Sequence, residues 1–340
     1  MKLEETKIEQ LRGLLSKAKK VAIIPHKDPD GDAVGACMAW LEALQNNDYE
    51  VDVISPTYVP ANLRWMKGYE KVIVFDENEK SVEQILNKAD MFLFLDFNNI
   101  SRTGNLSELL RTFKKKYSVL IDHHLDPDKD AADIVFSDIS ISSTCELCYE
   151  ILTRVGFKIS VNMAEALFAG IITDTGKLSY SSSHPEVYRV VADLIEKGIN
   201  KEKIYHEIYE NTKLDSIRLI GHALRNKLEV MGDTPVAFIS LCKKELYQYN
   251  FQSGDTEDLV NVPLTIKGIV VSALFTQKKN GLIKISLRSK GNIPINEFAK
   301  KYFNGGGHYN AAGGEFYDKL ENVIEIFKIK IKDFLKKYKI

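Results

Sequence analysis

Residues 21–24, Val-Ala-Ile-Ile, are apolar at every position, which fits a strand covered on both faces, as in a parallel sheet, rather than one half open to water. The run ends at Pro25. His26, Asp28, Asp30 and Asp32 follow, interleaved with Lys27, Pro29 and Gly31. Three carboxylates so close together at a strand end repel one another unless a cation offsets them. Imidazole with carboxylates suits a divalent transition metal such as manganese. The competing account is a polar turn, because Asp, Pro and Gly are common turn formers. A turn, however, needs neither His26 nor acids at alternate positions.

The same kind of run recurs. Strands are expected at 21–25, 50–55 (EVDVIS), 71–75 (KVIVF), 91–96 (MFLFLD) and 118–122 (SVLID). Residues 4–20, with Ile8, Leu11, Leu14 and Leu15 at helical spacing, and segments 33–46 and 81–89 read as helical. Alternation of this kind predicts an α/β fold, an N-terminal, mostly parallel sheet flanked by helices. From about residue 143 the pattern turns helical, over 143–155, 162–172, 185–197 and 201–230. Beyond Gly232 a smaller C-terminal α/β domain is expected. It would hold a strand at 234–241, a hairpin of 268–276 with 282–289 around Lys279–Gly281, and helices at 295–303 and 319–338. The expected division is a catalytic domain over 1–198, a helical linker over 199–230 and a second domain over 231–340.

In doubly wound sheets ligands bind beyond the carboxyl ends of the strands, and the remaining acids and imidazoles fall there. Asp96 ends the most apolar strand, although Asn98, Asn99 and Ser101 leave a helix cap as an alternative. Asp122, His123 and His124 end another, and a carboxylate beside adjacent histidines suits an imidazole held for a metal. Asp174 closes the apolar stretch NMAEALFAGIIT. Each has an ordinary structural explanation alone; their joint clustering favours a metal site. The 46 basic and 47 acidic residues leave a net charge of −1, which argues against a long duplex nucleic acid as partner. No apolar run approaches a membrane span, the N-terminus is charged and amphipathic unlike a signal peptide, and four cysteines make no disulfide framework. A cytoplasmic, membrane-independent protein is the expectation.

HKDPDGDAVG, the Asp96 strand end, DHH at 122–124 and TDTG at 173–176 resemble the ordered motifs of the DHH phosphoesterase superfamily. GGGHYNAAGG at 305–314 resembles the glycine-rich motif of its DHHA1 domain. Within the superfamily the chain is similar to the NrnA-type group, which act on nanoRNA and on 3′-phosphoadenosine 5′-phosphate (pAp). The resemblance implies that His26, Asp30, Asp32, Asp96, His123 and Asp174 hold two Mn²⁺, with Mg²⁺ or Co²⁺ able to substitute. His26 and Asp30 would serve one ion, with Asp174 completing that site, and Asp32 and His123 the other. Asp96 would bridge. Two such ions activate water and neutralise charge during in-line attack on a phosphoryl group. Asp122 would orient a neighbouring imidazole, His124 would face a phosphate oxygen or the leaving group, and Asp28 would support the turn or the ligands. Arg102, in ISRTG, would meet a substrate phosphate. In the C-terminal domain Arg288, Ser289, Gly305, Gly306, Gly307 and His308 would bind the end of the substrate not being cut. There the glycines would let backbone N–H groups approach an anion.

The implied activity is a Mn²⁺-dependent phosphodiesterase that converts short oligoribonucleotides to nucleoside 5′-monophosphates and also takes pAp. The partners are short single-stranded oligoribonucleotides or small phosphorylated nucleotides, with no duplex and no membrane, and a homodimer is admitted. Rival readings are a cyclic-di-AMP or pApA phosphodiesterase, an exopolyphosphatase- or pyrophosphatase-like hydrolase, and a nucleotide-binding module without catalysis. Two departures bear on substrate preference: Asp96 is followed by Phe97-Asn98-Asn99, where the family often has Thr or Ser, and the fourth motif continues DTGKLSYSSS. Cys145 and Cys148 have a redox or zinc spacing but no partner pair, and they sit in an apolar helical pattern. Ser142, Ser143 and Thr144 read as a helix cap, although the resemblance places this spot near the metal site, and His184 before Pro185 reads as a helix start. Lys328 to Lys339 read as a solvated basic face.

Overall fold

The computed structural model describes residues 3–113, 116–252, 254–278 and 281–338. It divides into two compact units, Met1–Asn211 and Thr212–Ile340, a boundary that falls inside the expected linker.

In the first unit six strands form one parallel sheet: β1 (Lys20–Pro25), β2 (Glu50–Ser55), β3 (Val72–Val74), β4 (Met91–Leu95), β5 (Tyr117–Asp122) and β6 (Ile134–Ser137). Their order is β3-β2-β1-β4-β5-β6. The helices are α1 (Glu5–Leu15), α2 (Gly31–Gln45), α3 (Phe75–Lys88, broken at Asn78), α4 (Leu106–Leu110), α5 (Thr144–Val155), α6 (Val161–Asp174), α7 (Pro185–Glu196) and α8 (Lys201–Tyr205). Side chains alternate between two cores. Val21 and Ile23 of β1, Leu93 and Leu95 of β4 and Val119 and Ile121 of β5 join α1, α2, α5 and α6. Ala22, Ile24, Phe92, Phe94 and Leu120 join Phe75, Val82 and Leu86 of α3 and Leu106 and Leu110 of α4. Coverage on both faces explains why the strands read as continuous apolar runs.

The strand order reverses between β1 and β4. At such a switch point the loops leaving the two strands diverge and open a crevice beyond their carboxyl ends. His26 follows β1 and Asp96 follows β4, so the reversal places both beside it. Helices α2 and α6 form the wall behind it. Both are buried along most of their length, and they pack closely: a Cβ on Gly35 of α2 would lie 2.4 Å from the Ala166 carbonyl of α6.

The second unit contains α9 (Leu214–His222), β7 (Leu228–Val230), β8 (Val236–Leu241), α10 (Lys243–Gln248), β9 (Val271–Gln277), β10 (Leu282–Ser289), α11 (Ile295–Tyr302), β11 (Gly306–His308), β12 (Ala311–Tyr317) and α12 (Leu320–Lys336). Its sheet runs β11-β12-β10-β9-β8-β7, antiparallel except for the β8–β9 pair. Phe238, Phe275, Ile285 and Leu287 pack on α11 and α12, while Ile239, Leu241 and Leu274 pack on α9 and α10. Two lysines of α12 are paired, Lys328 with Glu325 of the same helix and Lys332 with Asp233 of the β7–β8 turn.

Three expectations change. The segment 201–230 is not one helical run: π-helical turns at His206–Glu210 and Ala223–Lys227 interrupt it, and its end is β7, paired with β8. The glycine-rich stretch is not a free loop but β11 and most of β12. Strand β6 was not expected; it has four residues and is fixed by its pairing with β5. The turn residues 279 and 280 of the β9–β10 hairpin and Lys339 lie outside the described residues.

Candidate metal centre

His26 leaves β1 with its ring buried, and its Nδ1 lies 2.8 Å from the Lys27 carbonyl. A carbonyl only accepts, so Nδ1 carries a proton and donates it. That leaves Nε2 aimed at Asp96 Oδ2, 3.4 Å away, and Asp30 Oδ1, 3.9 Å away. Nε2 is buried with no hydrogen-bond partner among the described residues. A lone pair facing two carboxylates in a buried site calls for a cation, whether metal or proton. Asp30 caps α2, accepting from the Asp32 and Ala33 amides at 3.0 and 3.1 Å.

A second group lies beside the first. His123 Nε2 is 3.7 Å from Asp32 Oδ2, 3.7 Å from Asp96 Oδ1 and 3.5 Å from Asp174 Oδ2. Each of the trios His26–Asp30–Asp96 and Asp32–Asp96–His123 brings three ligand atoms within 4.8 Å of one another. They share Asp96, which turns Oδ2 toward one and Oδ1 toward the other. Asp96 has φ of 67°, in the left-handed region that side chains other than glycine seldom adopt. Such strain is concentrated at functional sites. These donors fit divalent cations. Asp174 lies against His123, the imidazole of the second trio, at 3.5 Å.

Charge is the organising problem of the site. Burial opposes a charge on His26, yet Asp30 and Asp96 outweigh it and raise its pKa to about 10. Burial likewise opposes His123, but Asp174, Asp32 and Asp96 raise it to about 9. Burial would raise Asp96; the imidazoles around it hold it well below the usual carboxylate range. Asp174 is raised to about 6, by burial first and by Asp30 and Asp96 against the pull of His123. Burial, then Asp96 and Asp174, push Asp32 up.

Asp122 orients His124: its Oδ1 is 2.7 Å from His124 Nδ1 and its Oδ2 accepts from the His124 amide at 3.1 Å. Asp28 is exposed, in a left-handed conformation, and bonded to Thr57, which makes it a turn residue. Arg102 is half-buried in the short helix after β4, and its carbonyl accepts from the Lys27 amide at 2.8 Å, tying together the loops that leave β4 and β1. Cys145 and Cys148 are buried free thiols, one beside the Asp32 carbonyl and the other accepting from Trp40 Nε1. Thr144, read from the sequence as part of a helix cap at a spot that lies near the metal site in the family, touches two of the ligands. Its amide and that of Cys145 donate to Asp32 at 2.6 and 2.8 Å, and its hydroxyl donates to Asp96 at 2.8 Å.

In the second unit Ser289 is committed internally: its hydroxyl donates to the Ile293 carbonyl at 2.7 Å and accepts from Asn310 at 2.8 Å. Arg288 and His308 both lie opposite Ala311, on either side of β12. The glycines answer first to strand packing: a Cβ on Gly305 would lie 2.0 Å from the Gly313 carbonyl, and one on Gly307 2.5 Å from that of Ala311. Gly307 alone of the three has positive φ, at 136°.

Family models match twice in this chain: the DHH family, N-terminal domain, over residues 20–171, and the DHHA1 domain over 234–337. The chain belongs to the DHH family. A bifunctional oligoribonuclease and PAP phosphatase, NrnA of Bacillus subtilis, is 30% identical over 296 residues, 86% of this chain and 88% of that protein. The crystal structure of an exopolyphosphatase-related protein from Bacteroides fragilis superposes with a TM-score of 0.93 at 35% identity, covering 99% of this chain and 98% of that one. The cyclic-di-AMP phosphodiesterase GdpP of Geobacillus thermodenitrificans is 24% identical over 91% of this chain but only 46% of its own length. The DHH-family chain described here is a metal-dependent phosphoesterase. No described helix is long and apolar enough to cross a membrane.

Proposed function

We propose that this DHH-family member is a Mn²⁺-dependent phosphodiesterase that hydrolyses short oligoribonucleotides to nucleoside 5′-monophosphates and also accepts pAp, acting in the cytoplasm. The carrying observation is the pair of ligand trios that share Asp96 around the unpartnered His26 Nε2. The substrate class rests on similarity to the NrnA protein over most of both chains.

In this reading two divalent cations, when bound, neutralise phosphoryl charge and make water nucleophilic near neutral pH. His26 and Asp30 would hold one, Asp32 and His123 the other, and Asp96 would serve both. Asp174 adds a carboxylate beside His123. Asp122 fixes the His124 ring with its proton on Nδ1, so the opposite nitrogen is the one able to meet a phosphate oxygen or a leaving oxygen. Arg102 would pair with a phosphate. Arg288, His308 and the Gly305–Gly307 backbone would recognise the remainder of the substrate; Ser289 would act by holding that hairpin.

Two other substrates are each favoured by a named relative: cyclic di-AMP by the GdpP protein, and polyphosphate by the exopolyphosphatase-related structure. One experiment separates them. Turnover of di- to pentaribonucleotides, pAp, pApA, cyclic di-AMP and polyphosphate is measured side by side with Mn²⁺, then with EDTA. Mononucleotide release from the short ribonucleotides, abolished by EDTA and by Asp30→Ala or His123→Ala, is expected. Full activity in either variant would refute the ligand assignment, and preference for another substrate would replace the proposed one.

A further inference from the structure

The buried first turn of α5 reaches the centre through one residue twice. Thr144 donates its amide to Asp32 Oδ2 at 2.6 Å and its hydroxyl to Asp96 Oδ1 at 2.8 Å, and the residue is inaccessible to solvent. The hydroxyl therefore holds the oxygen that faces His123, not the one that faces His26. A carboxylate turns about a single bond with little resistance of its own. What decides how Asp96 divides its oxygens is the set of groups that grip them.

Thr144 is itself gripped. Ser143 caps α5, accepting from the Glu146 amide at 3.1 Å. Glu146, buried one turn in, accepts from the Ser142 amide at 3.0 Å and from the Ser142 hydroxyl. On its other side His184 Nε2 lies 3.2 Å from Glu146 Oε1, anchoring the turn to the start of α7. The threonine is thus presented by a braced helix end and not by a mobile loop.

We infer that Thr144 is the positioning residue that fixes how the bridging carboxylate is shared, holding Asp96 Oδ1 on the Asp32–His123 side. This rests on the two-ion reading above. Groups that hydrogen-bond a metal ligand from outside its shell are typically worth about 10- to 100-fold in metal affinity. The loss on removing the hydroxyl should fall on one ion, since Asp96 Oδ2 and the His26–Asp30 pair do not touch it.

The test titrates the full-length, metal-stripped protein with Mn²⁺, following free Mn²⁺ by electron paramagnetic resonance and heat by calorimetry. Wild type, Thr144→Val, which keeps the shape but not the donor, and Thr144→Ser, which restores it, are compared. Wild type should bind two ions. T144V should bind one with affinity near wild type and the other about 10- to 100-fold more weakly. T144S should recover most of that loss, and kcat should fall in T144V with KM little changed. Two wild-type affinities in a T144V protein that melts normally would overturn the inference. Should T144V not fold, Thr144→Ala is read by the same two outcomes. A wild-type stoichiometry below two would overturn the two-ion reading first and this inference with it.

Discussion

Loading the metal-stripped protein should expel protons, and the structure gives their number. His26 and His123 have pKa values raised to about 10 and about 9, so both imidazoles are protonated at neutral pH. A cation can bind Nε2 only after that proton leaves. At pH 7.5 filling both trios should therefore release close to two protons per chain. Because metal and proton compete, affinity must rise with pH: about tenfold per ion, or about 1.4 kcal/mol, for each unit between roughly pH 6.5 and 8.5. Calorimetry of Mn²⁺ binding in buffers of different ionisation enthalpy counts the protons, and the same titration across pH gives the slope. Release of fewer than one proton with a flat pH dependence would refute the reasoning. The imidazoles would then be neutral before metal arrives, and some other charge would balance the acids.

Further outcomes follow from the same arrangement. Both histidines have folded pKa values above the unfolded value of about 6.5, so their stabilisation is complete below that pH and is lost as pH rises through about 9 and 10. The melting temperature of EDTA-treated protein should accordingly decline between pH 6.5 and 9.5, and saturating Mn²⁺ should suppress the decline. Asp174→Asn removes a carboxylate raised to about 6, which costs stability above its unfolded pKa. At pH 7.5 denaturant titration should show the metal-free variant more stable by about 1–3 kcal/mol, with Mn²⁺ binding weakened. His308→Ala should raise KM for oligoribonucleotides while leaving Mn²⁺ stoichiometry unchanged; an unaltered KM would remove it from substrate binding. Cys37, Cys145 and Cys148 are buried thiols, so a thiol reagent should reach no more than Cys242 quickly in the native protein and all four after denaturation.

The ligands could be read from the sequence because they are out of place. A strand as apolar as 91–95 has no packing use for Asp96, nor 117–121 for Asp122, His123 and His124, and their type reports their chemistry. What could not be read is work done by atoms common to every residue or by groups with a commoner use. Asp32 is held by two backbone amides at the head of α5, and Thr144 carries the sequence signature of a cap while its hydroxyl serves Asp96. The partner of Asp122 is a matter of side-chain direction, which adjacency alone does not decide. The glycines at 305–307 suit both an anion-binding loop and a close strand contact, and the second use appears only once β11 lies against β12. Strands β6 and β7 are too short to announce themselves; their neighbours make them strands.

The acids of this centre repel one another, so a flexible site would spread apart when empty. Here the fold opposes the spreading with fixed dipoles. Asp30 closes the amino end of α2, and Asp32 lies across the amino end of α5, where unpaired backbone N–H groups favour negative charge. Asp96 is held in the left-handed region by the hydrogen bond its backbone N–H donates to the Ile121 carbonyl of β5, at 3.0 Å, and by Thr144 at its carboxylate. None of these restraints needs a metal ion. The carboxylates are therefore gathered before a cation arrives, and its binding need not bear the cost of gathering them. The reversal of strand order supplies the crevice; the helix ends let like charges remain in it.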